Sequence, residues 1–390
     1  MGSNPTPKAL VIGGGIGGLT AAIALRRAGI EATIFERTHD LGRGDYGSAL
    51  FLWSNAMNAL RQLELADQIA AEGAPIEWFK EYTAKGEQLT AWPVGQMSRE
   101  IGVPSVCLDR DDLLAVLIGA LDDSAIWRDA ECVGFTQDAT GVTARFADGH
   151  EERGDLLIGA DGIKSAIRRQ LRGASDPRYA GYTAWRAIIP FTDPHAPEDT
   201  FAETWGRGKR FIHYPVGDGR HYLSCFMTVP EEMPEPPAGR RAMLLKHYAR
   251  WPAPTRALIE ATQDEEIHRT AIVAHFPLRH WGVGRVTLLG DAAHSMTPNL
   301  GQGACQAIED GVVLANCLSE GAPGDLAAAL RAYEARRKGR TASIMMRSLG
   351  IGLTGRIKNP IAVRVRDRLS KVMFNTVALK GQRQDMAYRV

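Results

Sequence analysis

Residues 8–18, KALVIGGGIGG, place three glycines directly after an apolar run, at the spacing Gly13-x-Gly15-x-x-Gly18. The apolar run predicts a buried strand, and the periodicity of Ile16–Ala28 predicts a helix. Gly13 permits the tight turn, Gly15 lets the backbone approach a pyrophosphate, and Gly18 lets the helix pack closely on the strand. The positive helix end also favours phosphate. The pattern therefore predicts a strand–turn–helix unit that binds a dinucleotide.

A second strand, predicted at Glu31–Glu36, completes a βαβ unit. Glu36 lies about twenty residues after the glycines, where a carboxylate can accept hydrogen bonds from both ribose hydroxyls. An acid here fits the unphosphorylated ribose of FAD or NAD, and this unit alone does not separate the two. Arg37, which follows Glu36, is a further candidate cofactor contact.

Two later motifs repeat the strand-to-glycine pattern. The strand predicted at Leu156–Ile158 delivers Asp161 and Gly162 to its carboxyl end, where ligands bind in open α/β sheets. The strand predicted at Val286–Gly290 delivers Asp291, a suitable acceptor for sugar-like hydroxyls such as a ribityl chain.

A proline- and glycine-containing loop follows the third strand. Its proline fixes a turn, and its glycines let the backbone lie against a flat ring because they carry no Cβ. The helix predicted at Gln302–Leu318 would aim its positive end at that ring, which stabilises a reduced flavin anion. The candidate cofactor residues of this loop are Pro298, Gly301, Gln302 and Gly303.

Composition limits the function classes. The chain has 390 residues, of which 45% are apolar and 23% charged, as in globular proteins with room for two domains. A net charge of +1 gives no general attraction to nucleic acid. The five scattered cysteines show no metal-like spacing and suit a reducing compartment. With no signal peptide or membrane span recognisable, we expect a cytoplasmic protein.

The last 60 residues are strongly basic. They hold 15 lysines and arginines but three acids, a local charge of +12. Residues 360–369 predict a basic amphipathic helix within this part. It is interpreted as a solvated face or a cap over the other domains, with an anionic membrane or an acidic partner as the alternative.

Between the second and third motifs, short strands separated by turns predict an inserted antiparallel sheet. The strands are Trp185–Pro190, Phe201–Trp205, Arg210–Tyr214 and His221–Thr228. The predicted fold is α/β with an α+β insert: a Rossmann-like FAD domain with a parallel sheet, an antiparallel-sheet substrate domain and C-terminal helices. The predicted FAD domain is discontinuous and comprises residues 1–75, 101–177 and 268–340; the substrate domain comprises 76–100 and 178–267, and the C-terminal helical segment 341–390.

Together the three motifs resemble the single-component, or group A, FAD-dependent aromatic monooxygenases, the group that contains p-hydroxybenzoate hydroxylase. The urate- and salicylate-hydroxylase types are the most similar in motif. The resemblance implies that Asp161 and Gly162 serve both FAD and NAD(P)H. It also implies that Arg110 lies near the FAD diphosphate and ribityl chain, and that Gly47 and Ser48 lie beside the isoalloxazine.

The same resemblance implies a reaction. NADH or NADPH visits transiently and reduces FAD, O2 adds at flavin C4a, and the hydroperoxide transfers one oxygen atom to a small aromatic substrate. The protein would position and tune the cofactor's own chemistry. A monomer or homodimer is expected, without a metal or nucleic acid.

The inserted sheet is expected to form one wall of the substrate pocket. By resemblance to urate hydroxylases, Arg210 and Tyr222 are candidate substrate contacts. Those enzymes carry an acid in the loop where this chain has Asn299, which removes a candidate base. Strand alternation places Arg210, Ile212 and Tyr214 on one face and His213 on the other.

His213 has two interpretations: a base that deprotonates a phenol, or a packed strand histidine. Trp53, Trp185 and Phe226 are either pocket-lining aromatics or core residues.

Other reactions fit the same motifs. Epoxidation and Baeyer–Villiger oxidation use the same cofactor cycle. A reductase of the geranylgeranyl type would share the cofactor domain but leave oxygen out. A flavin halogenase is disfavoured because the chain has no Trp-x-Trp-x-Ile-Pro segment. The non-enzymatic alternative is a prenyl-binding escort protein with the same fold. It would not need bound flavin, so the presence of the second and third motifs argues against it.

Overall fold

The computed structural model describes residues 6–41, 48–321 and 325–390, so the predicted contact Gly47 lies outside the described residues. The strands are β1 (Lys8–Ile12), β2 (Glu31–Phe35), β3 (Ala49–Leu52), β4 (Ala74–Pro75), β5 (Trp78–Thr83), β6 (Gln88–Trp92), β7 (Val106–Asp109), β8 (Ile126–Trp127), β9 (Cys132–Gln137), β10 (Val142–Phe146), β11 (Glu151–Gly154), β12 (Leu156–Gly159), β13 (Arg178–Pro190), β14 (Thr200–Trp205), β15 (Lys209–Pro215), β16 (Arg220–Met227), β17 (His268–Ala274) and β18 (Val286–Leu288).

The α-helices divide into short connecting helices and a long C-terminal set. They are α1 (Ile16–Arg27), α2 (Ser54–Gln62), α3 (Ala66–Glu72), α4 (Val94–Ile101), α5 (Arg110–Gly119), α6 (Ala166–Arg172), α7 (Arg240–Tyr248), α8 (Thr255–Ala261), α9 (Asp291–His294), α10 (Gly303–Glu320), α11 (Leu326–Gly355), α12 (Pro360–Met373) and α13 (Leu379–Met386). A π-helical turn, Phe374–Ala378, joins the last two.

A five-stranded parallel sheet forms the base of the molecule, in the order β18-β12-β1-β2-β8. Three adjacent strands, β18, β12 and β1, are the apolar runs of the three sequence motifs, so their carboxyl ends meet at one edge. Helix α1 follows β1 and is buried from Gly17 to Leu25. The sheet therefore brings the three glycine-containing turns together.

A seven-stranded sheet lies over that edge, in the order β17-β13-β16-β15-β14-β5-β6. Neighbouring strands are antiparallel except β14 and β5, which are parallel. Helices α7 and α8 cover one face through a separate apolar core that contains Trp185, Phe211 and Tyr248. The opposite face is directed at the cofactor motifs. The predicted α/β fold class with an inserted sheet is confirmed.

The C-terminal helices are more continuous than expected. Helix α11 runs for 30 residues, so the predicted boundary at 340/341 falls inside it. The helix predicted at residues 360–369 extends from Pro360 to Met373. Among the described residues, no helix has both the length and the apolar character needed to cross a bilayer.

The predicted helix ends agree closely with the structure where the sequence contains a recognisable helix cap or turn. Asp109 caps α5 as predicted, because its Oδ1 accepts a hydrogen bond from the Asp111 backbone N–H at 3.1 Å. The helix predicted at Asn55–Leu65 is shorter at its end, since Glu64 adopts a left-handed backbone.

Candidate active site

A cavity of about 1790 Å³, hereafter the central cavity, lies between the parallel sheet and the seven-stranded sheet. On one side it is lined by Gly15, Gly162 and Gly290, which follow β1, β12 and β18. On the other side it is lined by Tyr214 and Tyr222 of β15 and β16. The volume exceeds the ~300–1,000 Å³ of an ordinary ligand pocket, so a dinucleotide and a substrate can fit together.

The first glycine loop has the geometry that its three glycines predict. A Cβ on Gly13, whose φ is +108°, would lie 2.4 Å from the Ala160 carbonyl oxygen. A Cβ on Gly18 would lie 2.0 Å from the Gly13 carbonyl oxygen, so only glycine permits this helix–strand approach. A Cβ on Gly15 would meet nothing within 4 Å. Open space beside Gly15, at the start of α1, fits a bound pyrophosphate.

The Glu36 carboxylate holds this loop through hydrogen bonds to backbone N–H groups. Its Oε2 accepts a hydrogen bond from the Gly14 backbone N–H at 2.7 Å, and its Oε1 accepts one from the Thr38 backbone N–H at 3.0 Å. Glu36 is partly buried and Arg37 is exposed, and neither lines the central cavity. Their contacts with a ribose therefore remain predictions.

The two residues of the second motif, Asp161 and Gly162, have different roles in the structure. The Asp161 carboxylate accepts hydrogen bonds from the Ser165 hydroxyl at 2.5 Å and the Ala166 backbone N–H at 2.7 Å, so it caps α6. It does not line the central cavity, whereas Gly162 does. Gly162 has a φ of +76° and open space around its Cα. The loop backbone at Gly162, rather than the Asp161 side chain, faces the cofactor space.

The third motif lies directly on the central cavity. Asp291 is exposed at the start of α9, and Pro298, Gly301 and Gly303 line the wall beyond it. A Cβ on Gly303 would meet nothing within 4 Å, and α10, which begins there, runs for 18 residues. Its positive end thus faces open space of the kind that an anionic flavin would fill. Gln302 is buried behind this wall and bonds to Asn55 at 3.1 Å.

Replacing Asp291 by alanine should weaken FAD binding about 10- to 100-fold, because a charge-assisted hydrogen bond to the ribityl chain is lost. FAD affinity of the refilled apoprotein measures this effect. Asp67→Ala, at an exposed carboxylate of α3 outside the cavity, is the matched control. Full FAD retention in the Asp291 variant would contradict the ribityl role.

Ser48 and Arg110 meet at the same cavity, as the resemblance implied. The Arg110 backbone N–H donates to the Ser48 carbonyl oxygen at 3.0 Å, and both residues line the central cavity. This bond joins the start of α5 to the segment before β3, so the two predicted cofactor contacts form one continuous surface.

A buried ionic network lies beneath the third motif, and the sequence analysis did not identify it. The Arg337 side chain of α11 is fully buried and bonds to the carboxylates of Glu309 and Asp310 on α10. Asp310 also bonds to His294 Nε2 at 2.5 Å. Although burial alone would lower it, these carboxylates raise the pKa of Arg337 above its ordinary value. The network fixes α10 and α9, which carry the cofactor loop.

The inner face of the seven-stranded sheet forms the substrate wall. Ile212, Tyr214, Tyr222 and Phe226 line the central cavity, as the predicted alternation requires. The Tyr214 and Tyr222 rings lie 4.8 Å apart. Tyr222 is therefore placed where it can contact a substrate.

Arg210 lies behind this wall rather than in it. Its guanidinium donates to Glu203 Oε1 at 3.0 Å and to the Asn299 side-chain oxygen, and it is buried. It packs over Phe226 at 4.8 Å and over Trp205 at 5.0 Å. Glu203, Trp205, Phe226 and Asn299 all line the central cavity, so Arg210 reaches a substrate through residues that it positions.

The sequence analysis did not identify two carboxylates that belong to the substrate wall. Glu81 of β5 and Glu203 of β14 are register partners, are both buried, and line the central cavity. Burial raises the pKa of Glu81 well above its ordinary value, and the charge of Glu203 raises it further. Burial also raises the pKa of Glu203, while Arg210 offsets part of this effect. The available signal was an acid inside each of two strands that are rich in aromatic residues.

The structure corrects the assignment of His213 as a candidate catalytic residue. It lies on the opposite face of β15, close to Phe211 and His221, and does not line the central cavity. Burial lowers the pKa of His213 to about 3, so the ring is neutral. It is a packed strand histidine and is not placed to act as a base on a substrate. Trp185 is likewise a core residue of that face, whereas Trp53 and Phe226 line the cavity.

Comparisons with known proteins agree with this geometry. The family described as FAD binding domain matches residues 6–348. The aurachin C monooxygenase/isomerase of Stigmatella aurantiaca is 43% identical over 364 residues, which cover 93% of this chain and 94% of the relative. The FAD-dependent urate hydroxylase of Klebsiella oxytoca is 34% identical, covering 87% of this chain and 88% of the relative.

A solved structure extends the agreement to three dimensions. Klebsiella pneumoniae HpxO, complexed with FAD and uric acid, superposes with a TM-score of 0.90 at 31% identity, covering 97% of this chain and 96% of that one. The open glycine loops and the α10 terminus fit the same cofactor. The chain therefore belongs to the FAD binding domain family, and it is a FAD-dependent monooxygenase of the single-component aromatic hydroxylase group.

Proposed function

We propose that this protein uses NADH or NADPH and O2 to insert one oxygen atom into a planar aromatic or heteroaromatic small molecule. Bound FAD would supply the redox and oxygen-transfer chemistry, held by the glycine loops, Ser48, Arg110 and Asp291. The chain's own residues would bind the substrate, orient it beside the flavin and exclude water.

The observation that supports this proposal is a stack of aromatic rings. It lies beside the loop between α9 and α10 that contains Pro298 and Gly301, hereafter the flavin loop. Within it, Phe51 and Trp53 lie 4.0 Å apart, Phe79 and Phe201 lie 4.9 Å apart, and Phe201 and Tyr214 lie 4.8 Å apart. All five rings line the central cavity. The Trp53 Nε1–H donates to the Leu300 carbonyl oxygen at 3.1 Å, which ties the stack to the flavin loop. Such a wall suits a flat ring system.

The carboxylate pair supplies polarity in this aromatic wall. Two buried carboxyl groups side by side cannot both ionise easily, so the pair retains a proton to higher pH than an isolated carboxyl group would. Because Arg210 stabilises the charge of Glu203, the proton resides on Glu81. A neutral Glu81 carboxyl can donate a hydrogen bond to a ring carbonyl or nitrogen and orient the substrate.

The direct test is turnover under air with a panel of phenols, purines, quinolones and polyketide-like aromatics. Reductant consumption and mass gain would be followed together, with ¹⁸O2 as the oxygen source. Stimulated oxidation with gain of one labelled oxygen supports the proposal and shows whether the product is hydroxylated, epoxidised or ring-expanded. Flavin reduction without oxygen insertion for any compound would favour the reductase alternative.

Glu81→Gln should remove an alkaline decline in kcat/KM. In the wild-type enzyme the rate should fall by up to about tenfold per pH unit above the raised pKa of Glu81, because the donated proton is lost. Glutamine keeps a donor but cannot ionise. Glu77→Gln, at a more exposed acid that pairs with Arg99, is the control. An unchanged alkaline limb in the Glu81 variant would exclude this role.

Three further assignments belong to the proposal. The cytoplasm is the proposed location, supported by five buried cysteines that are all free thiols and by the need for NAD(P)H. A monomer or homodimer, and the division into FAD and substrate domains, also stay predictions.

A further inference from the structure

A ridge of apolar side chains runs along α12 and into the π-helical turn. The ridge consists of Ile361, Val365, Leu369, Met373 and Val377, which repeat every four positions. Their exposed fractions are 70%, 51%, 56%, 54% and 71%. A four-residue repeat forms a continuous row on a helix surface. So long an exposed apolar row indicates a binding surface rather than a chance composition.

The ridge belongs to the wall of the central cavity. All five of its members line that cavity, together with the flavin loop. Val372, on the same helix and 64% exposed, does not line it, and neither do the exposed Met346 and Leu353 of α11. The ridge is therefore set apart from other exposed apolar residues by its position at the reaction space.

Polar bonds on the inner side of the helix hold the ridge in place. Trp92 Nε1–H donates to the Phe374 carbonyl oxygen at 3.1 Å, and the Thr90 hydroxyl donates to Asn375 at 2.6 Å. Arg366 donates to the Gly206 carbonyl oxygen at 3.0 Å. These bonds anchor the helix to the substrate sheet while the apolar ridge faces the cavity.

Aromatic contacts connect the ridge to the aromatic wall. Phe374 lines the central cavity and lies 6.2 Å from Trp205, and Trp92 stacks on Phe79 at 4.9 Å. On the facing side, α11 contributes the small and apolar surface of Gly350 and Ile351. A planar head placed at the aromatic stack would thus direct a substituent along the ridge.

We infer that the substrate is an aromatic or heteroaromatic compound with a long alkyl or prenyl chain, and that the chain lies along the ridge. This inference rests on the proposed function, because it places the head of the same substrate beside the flavin. Covering the ridge with a hydrocarbon chain removes apolar surface from water on both partners, which is the source of the affinity.

A bilayer is the rival occupant, since Arg364, Arg368 and Lys371 are exposed on the same helix. The two occupants differ in what they require of Val372. A chain inside the cavity does not contact Val372, whereas a bilayer pressed on the helix would bury it with its neighbours.

The test uses FAD-loaded protein and quinolones that differ only in a methyl, heptyl or undecyl chain. Binding is measured without reductant, from the change in the FAD absorbance spectrum, so it does not depend on turnover. Each half-buried CH₂ should tighten Kd about twofold, so the six additional CH₂ groups of heptyl should tighten it about 60-fold relative to methyl. Leu369→Asp should abolish most of this gain, and Val372→Asp should preserve it. Val365→Asp repeats the test at a second exposed ridge position.

The outcomes separate the two hypotheses. A Kd that is independent of chain length, or no binding of the undecyl compound at its solubility limit, overturns the inference even if turnover succeeds. Equal losses in the Leu369 and Val372 variants, with wild-type protein binding to phosphatidylglycerol vesicles, would assign the ridge to a membrane instead. Chain-length dependence of binding without oxygen insertion into these quinolones would keep the ridge assignment and count against the reaction proposed for this substrate class.

Discussion

Arg337→Met should lower the free energy of unfolding by about 3–5 kcal/mol, because it removes the buried cation that two buried carboxylates share. Glu309 and Asp310 are fully buried, and Arg337 bonds to both. Arg340 still pairs with Glu309, but Asp310 would keep its hydrogen bonds with His294 and the Gly290 backbone N–H and, among the residues the structure describes, no arginine. Chemical denaturation of the FAD-loaded protein measures the loss.

Arg336→Met is the matched control on the same helix. Arg336 forms an exposed pair with Glu320 at 2.7 Å, and such pairs contribute about 0–1 kcal/mol. The Arg337 variant should also release FAD more readily, since the network fixes α10 and the loop before it. Equal stability of the two variants would show that the buried network does not hold the cofactor loop.

Arg210→Met should impair both stability and coupling. Removing the guanidinium leaves Glu203 as an unpaired buried carboxylate, at a cost of about 3–5 kcal/mol. It also removes one hydrogen bond from Asn299 and the contacts of the guanidinium with Trp205 and Phe226, so the substrate KM should rise and a larger share of NAD(P)H should yield peroxide. Steady-state kinetics with product and peroxide quantified in parallel measure this effect.

The second substitution that tests this mechanism is Glu203→Gln in the Arg210→Met background. Removing the unpaired charge should restore much of the lost stability while leaving KM raised, because the positioning contacts stay absent. Arg256→Met, at an exposed pair with Glu260, should change neither property. Unchanged kinetics in Arg210→Met would remove this residue from the positioning of the wall.

The cofactor half of the site could be predicted because its signals are local. Gly13, Gly15 and Gly18 each meet a backbone requirement set by residues a few positions away or by the adjoining strand. Strand alternation likewise placed Tyr214 on the cavity face and His213 on the other, since the side-chain period of two needs no tertiary information.

The substrate half could not be predicted because its contacts join distant segments. Glu81 and Glu203 become neighbours only when β5 pairs with β14 in parallel register. Arg210 was assigned to the substrate from a resemblance, yet it does not line the cavity, and its guanidinium bonds to Glu203 and Asn299, which do. Each strand contains only one of the two acids, and a single acid in a strand looks like a surface residue in the sequence.

Helix α11 passes through the point where the family match ends, at residue 348. Beyond that point, Gly352 contacts Asn299 and Gly355 contacts Arg210, and α12 adds the apolar ridge. The family model thus ends before the part of the chain that completes the reaction space, whereas the HpxO structure, which covers 97% of this chain, extends into that part. Substitutions along α12 can consequently reshape the substrate end of the central cavity without altering the glycine loops at its cofactor end.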